Sequence, residues 1–547
     1  MLYSHNMATL QPTEVDVLVV GAGVTGIYQL HRALDAGFTA LLLEAGDGPG
    51  GVWHWNRYPG ARLDSESFTY GYFFSKELFE GWEWSEYFAG QPENEAYFSY
   101  VVEKRGLAEH IRFGARVDSA VWDEDTATWA VHAGDGSQVR ARFLVAATGV
   151  LSIPVYPAVE GREDFRGEAH HTGLWPKEPV DFTGKRVAVV GVGSSGVQVV
   201  PAVADQAASV TVYQRTPNWA TPLNNTPISD EEQAQLQADF DRIRDVCENG
   251  PSGFMHESSG RKTFDDTPEE RRAFYESMWR SRGFQKLSSN YTDLIPDPRA
   301  NAEFCAFLAE KIRGIVRDQE TAAKLIPDHP YAAKRPPFVT GYFEAFNKPN
   351  VELVSLKEHP MVRVTGTGIE TTDGHREFDI IVWASGFDFG TGALVRMGIR
   401  GRGGLPLEQH WADGPETFLG IQTRGFPNFF FPGGPHGAAG NNPRYAGDQV
   451  DFVMDVLEHV RENGYATVEV AQEAEDGWTA MVDEFARYGP FKDISYFFGT
   501  NVPGKPRRYL LNPAGRDKMR EVMADVVAQD WKAETFRTRT AEPAATA

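Results

Sequence analysis

An α/β fold built on two copies of one strand–glycine turn–helix–strand unit is what this 547-residue sequence predicts. Two glycine-rich turns, each closing an apolar run, carry that expectation, together with the alternating stretches that follow each of them. At this length a single compact core does not suffice, and two or three domains are expected. Hydrophobic residues at 41% and charged residues at 24% are ordinary for a globular protein. Asp and Glu number 76 against 53 Lys and Arg, and the formal charge of -23 opposes nucleic acid or an anionic membrane surface as a partner. Cys247 and Cys305 lie far apart, so no disulfide scaffold, CxxC redox pair or metal cluster is expected, and a reducing cytoplasm is the simplest setting. No apolar run approaches the roughly 20 residues that span a bilayer. Residues 1–13 lack the order of a signal peptide and read as a loose tail, as do 535–547.

The first unit opens with Val15–Val20, an apolar run of the buried parallel-strand type. Gly21, Gly23 and Gly26 follow at GxGxxG spacing, then a helical pattern to Ala36, a stop at Gly37 and a second strand run from Thr39 to Glu44. This is the Rossmann-like dinucleotide-binding pattern. Gly21 permits the tight turn, Gly23 lets a pyrophosphate approach the backbone, and Gly26 lets helix and strand pack closely. The helix N-terminus faces the phosphates, and Glu44 accepts hydrogen bonds from ribose hydroxyls.

The unit recurs at Lys185–Gly191, with Gly191, Gly193 and Gly196 in the turn, Ser194 and Ser195 between them, and Gln198 on the helix. After the next strand, Ser209–Tyr213, the place of the ribose-binding acid is taken by Gln214, Arg215 and Thr216. A carboxylate there would repel a 2′-phosphate, whereas an arginine binds it, so the second site suits NADP and the first an adenine dinucleotide with a free 2′-hydroxyl. Alternating runs at 115–122, 128–133 and 138–147, with a turn at Asp135–Gly136, read as an antiparallel meander ending near Thr148 and Gly149. A matching meander is expected from Val351–Leu356 through a turn at Asp373–Gly374 to 378–388. Residues 224–335 read as a charged helical insertion, with Ser229 and Glu232 as a capping box. Two Rossmann-like domains, each closed by a meander, resemble flavoproteins that hold FAD in the first domain and NADPH in the second.

Two motifs narrow the chemistry. Phe165, Gly167, His171, Trp175 and Pro176 match the FxGxxxHxxxWP fingerprint of Baeyer–Villiger monooxygenases, and the stretch from Gly50 to Asp64 is similar to that family's longer signature. The resemblance runs from about Val15 to Leu511. It implies NADPH- and O2-dependent insertion of oxygen beside a ketone carbonyl, through a flavin peroxyanion and a tetrahedral adduct, to give esters or lactones. Amine or sulfide oxidation is the alternative, and a non-oxygenating redox sensor a more distant one. It further implies that Arg335 of the Lys334-Arg335-Pro336 segment reaches the flavin, oriented by Asp64, as the catalytic pair. Gly51, Trp53, Tyr70, Thr148, Gly149 and Asp388 are implied as FAD contacts, and Lys334, Tyr496 and Asn501 as NADP contacts. Tyr496 stands where many members carry tryptophan. The expected division is 14–155 with 385–534 for FAD, 156–223 with 336–384 for NADP, and 224–335 as the insertion. The loop from Gly433 to Pro443 is dominated by Gly and Ala and leaves room for a bulky or cyclic ketone. A monomer or weak dimer is expected.

Overall fold

The computed structural model describes residues 12–437, 440–488 and 496–540. Strand β1 (Thr13–Val20) lies between β2 (Ala40–Leu43) and a later strand, parallel to both. Val17, Leu18 and Val19 are fully buried, as a strand covered on both faces requires. Helix α1 (Val24–Asp35) lays Ile27, Leu30 and Ala33 on one face of the sheet. Strand β3 (Ile111–Arg112) closes one edge. The meander β4 (Val117–Asp123), β5 (Thr128–Ala133) and β6 (Gln138–Ala146) returns the chain beside β1, turning at Gly136, whose φ is +86°. Thr13 belongs to β1, so the expected tail is shorter than 1–13; residues 1–11 lie outside the described part.

The second sheet is wholly parallel. It takes β7 (Glu168–His171), β8 (Arg186–Val190), β9 (Ser209–Gln214), β10 (Val351–Ser355) and β14 (Ile380–Trp383), in the order β10-β9-β8-β14-β7. Between β10 and β14, strands β11 (Met361–Val364), β12 (Gly368–Thr371) and β13 (Gly374–Glu377) form a separate antiparallel sheet. This corrects the second meander. Only its hairpin at Asp373–Gly374 is antiparallel, while the runs expected on either side of it pair in parallel and are kept apart by β8 and β9. The completely buried run Ile380–Trp383 marks a central parallel strand, which has no polar face to show to water.

The insertion is helical from Asp230–Ala238 to Gln319–Leu325, and Ser229 and Glu232 form the expected capping box. Its side chains pack both ways. Phe240, Ile243 and Cys247 join the core of the first sheet, whereas Tyr275, Phe304 and Ile312 join that of the second. The chain then returns to the first sheet: β15 (Ile399–Arg400) pairs with β4, and β16 (Phe429–Phe430) with β6. A later helix (Asn442–Glu462) packs on α1.

The expected loose tail at 535–547 needs a second correction. Strand β18 (Phe536–Thr540) pairs antiparallel with β17 (Tyr465–Val470), and Phe536 is buried against Phe418 and Phe452. One phenylalanine in an otherwise polar segment supplies the burial that average composition hides. Residues 541–547 lie outside the described part.

Glu475, on the first turn of the helix Gln472–Tyr488, is fully buried. It accepts hydrogen bonds from Thr423 Oγ1 and the Arg424 amide, both at 2.8 Å, and pairs with the Arg424 guanidinium. Burial outweighs these partners and pushes its carboxyl up to about 7. An acid whose folded pKa is raised binds its proton more tightly in the folded state, so its contribution to stability is full below the unfolded value and is lost as pH rises through 7. We expect the melting temperature to fall from about pH 4.5 to 7 and to level off above that, and Glu475→Gln to flatten that slope; an equally steep slope in the variant would reject the assignment.

Candidate active site

A cavity of about 370 Å3 opens where β1, β2 and β6 end, at the carboxyl edge of the first sheet. Gly21, Gly23, Glu44, Gly51, Tyr70, Thr148 and Gly149 all line it. Gly21 turns with φ +102°, and Gly26 lies so close behind it that a Cβ there would sit 1.8 Å from the Gly21 carbonyl oxygen. At Gly23 a Cβ would meet only the Gly51 Cα, at 3.6 Å, which leaves the backbone open to a phosphate. The Glu44 carboxylate is fixed at the cavity by the amides of Ala22 and Gly46, both at 2.6 Å. The fixed carboxylate, an acceptor for ribose hydroxyls, and the glycine cradle fit an adenine dinucleotide.

Two expected contacts are placed differently. Trp53 is not in the wall; its indole donates to the Tyr70 hydroxyl at 3.1 Å and supports that ring edge-on. Asp388 lies between Lys505 and Arg396, at 2.6 Å from each, and Arg396 is the residue that lines the cavity. Against burial, the two cations hold the Asp388 carboxyl below its ordinary value. Arg116, Asp118 and Asn442 line the cavity without having been singled out from the sequence. Nothing local marks them, since they arrive through sheet pairing and the return of the chain.

The second glycine turn repeats the geometry. Gly191 has φ +110°, a Cβ on Gly196 would sit 2.0 Å from the Gly191 oxygen, and one on Gly193 would meet nothing within 4 Å. Helix α2 (Ser194–Val203) starts there, with Ser194 and Ser195 in its first turn. Arg215 and Thr216 directly follow β9. Burial first, and then the charge of Arg215, lower the Lys334 amine, so the two cations are close enough to feel each other. Arg215→Ala is expected to raise the KM for NADPH about tenfold or more, the cost of a charged hydrogen bond, and to leave NADH nearly unaffected. Equal losses with both nucleotides would show that Arg215 does not read the phosphate. Gln198, expected at NADP, instead turns its amide to the loop at 58–62.

Asp64 and Arg335, 271 residues apart in sequence, meet in two parallel hydrogen bonds of 2.5 and 2.6 Å. Burial opposes the charge on Arg335, yet Asp64 raises its pKa above the ordinary value. The guanidinium lies 4.8 Å over the Phe284 ring, and Asn218 holds the Arg335 carbonyl at 3.0 Å. Tyr496 stands against Arg335; burial pushes its phenol up to about 12, with Arg335 opposing. Asn501 donates to the Phe387 carbonyl at 2.8 Å and keeps a buried, unpartnered Oδ1.

The fingerprint residues form a joint. His171 ends β7, is 1% exposed and accepts the Gly173 amide at 2.9 Å. Trp175 packs on Phe182, and its amide donates to the carbonyl of Trp55, which lines the cavity. At Gly167 a Cβ would meet the Asp379 oxygen at 2.6 Å, which is why no larger residue fits between Arg166 and Glu168. Pro176 follows Trp175 at the exit from this joint.

Two glycine cradles on two sheets, with a fixed carboxylate–guanidinium pair nearby, define an oxidoreductase of the two-dinucleotide class. Residues 14–225 match the model of the flavin-binding monooxygenase-like family. The chain is 42% identical over 477 residues to the 2-oxo-Δ3-4,5,5-trimethylcyclopentenylacetyl-CoA monooxygenase of Pseudomonas putida, covering 86% of this chain and 88% of that one. It is 39% identical over 518 residues to the phenazine N-monooxygenase PhzNO1 of Lysobacter antibioticus, covering 93% and 95%. The crystal structure of cyclohexanone monooxygenase from Rhodococcus sp. Phi1 bound to NADP+ superposes with a TM-score of 0.94 at 38% identity, covering 97% of this chain and 100% of that one. The chain belongs to the Baeyer–Villiger monooxygenases within the flavin-binding monooxygenases. Its cofactors are FAD and NADP(H).

Proposed function

We propose that the chain converts ketones to esters or lactones, consuming one NADPH, one proton and one O2 per turnover and releasing NADP+ and water. The observation that carries this reading is the bidentate Asp64–Arg335 pair. FAD, once bound and reduced, supplies the activated oxygen that is placed beside the carbonyl. The chain's own residues do the rest. Asp64 uses both oxygens to fix the plane of the Arg335 guanidinium, which offers a permanent cation to negative charge developing on the carbonyl oxygen. A neutral donor would stabilise that charge less, and a mobile one would lose the advantage of prior alignment. The first turn of α2, Arg215 and Lys334 hold the nicotinamide nucleotide, while Tyr496 with Phe389 and Phe497 packs beside Arg335 and keeps water out.

Bulky or cyclic ketones are the proposed substrates. Gly433 and Gly437, from the small-residue loop expected beside the ketone, line the cavity that fits the dinucleotide, and residues 438–439 lie outside the described part. A cytoplasmic monomer or weak dimer is the proposed state; no described helix is long and apolar enough to cross a membrane. The likeness to a phenazine N-monooxygenase favours heteroatom oxidation as the second reading. Purified protein with FAD, NADPH and air decides between them when offered a bulky cyclic ketone and a phenazine separately. Lactone equal to NADPH consumed supports the proposal. N-oxide with no lactone moves the chain to the heteroatom reading, and NADPH oxidation with neither product rejects both.

A further inference from the structure

A loop connects the cavity wall at Val52–Trp55 with Asp64, and one side chain of the second nucleotide unit clasps it. Tyr58, 8% exposed, donates from its hydroxyl to Gln198 Oε1 at 2.8 Å. The amide of the same Gln198 donates to the Arg62 carbonyl at 3.2 Å. Gln198 lies on the first turns of α2 and thus binds the loop at two points, one of them two residues before Asp64. Ser195, in the same helical turn region, also bears on the Tyr58 hydroxyl. Contact is tight along the backbone as well. A Cβ at Gly60 would stand 2.5 Å from the Gln198 carbonyl oxygen, so the loop cannot slide along the helix without breaking the clasp. Tyr58 is near enough to Asp64 and Arg335 to feel the charge of both.

We propose that Tyr58 is a positioning residue, which through Gln198 locks the loop bearing Asp64 to the helix that receives the nicotinamide nucleotide. The Asp64–Arg335 pair is thereby set in register with α2, and the seating of NADP and the aim of the guanidinium become one adjustment. The geometry requires this, because Arg62 and Asp64 are too close in sequence to move separately. Without the clasp the pair still forms, but its aim is no longer referred to the second domain. Reducing equivalents then leave unproductively, NADPH, H+ and O2 giving NADP+ and hydrogen peroxide.

The inference rests on the proposed ketone oxidation, and its test separates the two. The FAD-loaded Tyr58→Phe variant is compared with the parent protein for anaerobic flavin reduction by NADPH, and in air for lactone and hydrogen peroxide formed per NADPH. Reduction should stay within about twofold of the parent, while lactone per NADPH falls about fivefold, the effect of one neutral hydrogen bond, and peroxide rises to match. Saturating NADP+ should not restore the yield, because alignment and not occupancy is lost. Gln198→Met should give the same defect, and the double variant should be no worse than the worse single one, since all three break the same clasp. Unchanged yield, restoration by NADP+, or additive losses in the double variant would each overturn the role of Tyr58. No lactone from the parent protein would instead count against the proposed function.

Discussion

Arg335→Ala is expected to lower ester or lactone formation by at least about 10²–10³-fold, the range for removing one aligned charge donor from a developing oxyanion. NADPH oxidation should continue, with hydrogen peroxide replacing the ester. The dissociation follows from where the charge acts: nothing in hydride transfer to the flavin requires a cation at the carbonyl. Arg335→Lys should rescue little, since one ammonium cannot donate to both Asp64 oxygens in the plane that the pair now fixes. Asp64→Asn should weaken the same step less, because it removes the orientation and leaves the cation. Measuring product and peroxide per NADPH in the three variants checks the ordering. Parallel loss of flavin reduction and ester formation in Arg335→Ala would place the residue at nucleotide binding instead.

The second large effect concerns the first glycine turn. Gly26→Ala would put a Cβ 1.8 Å from the Gly21 oxygen, and both partners are backbone. Neither can rotate away, so strand and helix must separate, at a cost of at least about 3 kcal/mol. We expect protein without bound flavin and a lower melting temperature. Gly37→Ala provides the contrast. Its φ of +75° is unfavourable for alanine, but nothing lies within 4 Å of the added atom. That variant should lose only about 1–2 kcal/mol and keep its flavin. Visible absorbance of bound FAD and thermal unfolding of the two proteins test the pair, and retention of flavin by Gly26→Ala would refute the steric account.

Those glycines also show why part of the molecule was legible in advance. A steric demand between residues five apart is written locally, and both nucleotide turns could be recognised from it, as β1, β2, β8, β9, α1, α2 and the first meander could from their apolar runs and alternation. The Ser229–Glu232 cap is equally local. The Asp64–Arg335 contact is not. No periodicity links positions 271 residues apart, and it was expected only through the resemblance to a family. That β10 pairs in parallel with β9, and β14 with β8, is not legible locally, because strand order depends on partners brought by other segments. Trp53, Asp388 and Gln198 are expected at ligands, and the protein partners their polar atoms also find, Tyr70, Lys505 with Arg396, and Tyr58 with Arg62, are not legible in any motif. A motif marks the neighbourhood of such residues, but their rotamers answer to packing.

The two sheets differ in how far along the chain their strands are collected. The second draws only on residues 168–383, whereas the first joins strands near the amino end to β15 and β16, beyond residue 398. During synthesis the inner sheet can therefore close while the outer one still lacks pieces, since domains fold as their residues emerge. The cavity needs Gly21 and also Gly437 and Tyr445, so its wall is complete only after four-fifths of the chain has been made. Flavin capture is therefore expected late in the protein's maturation, after every strand of the second sheet has been made.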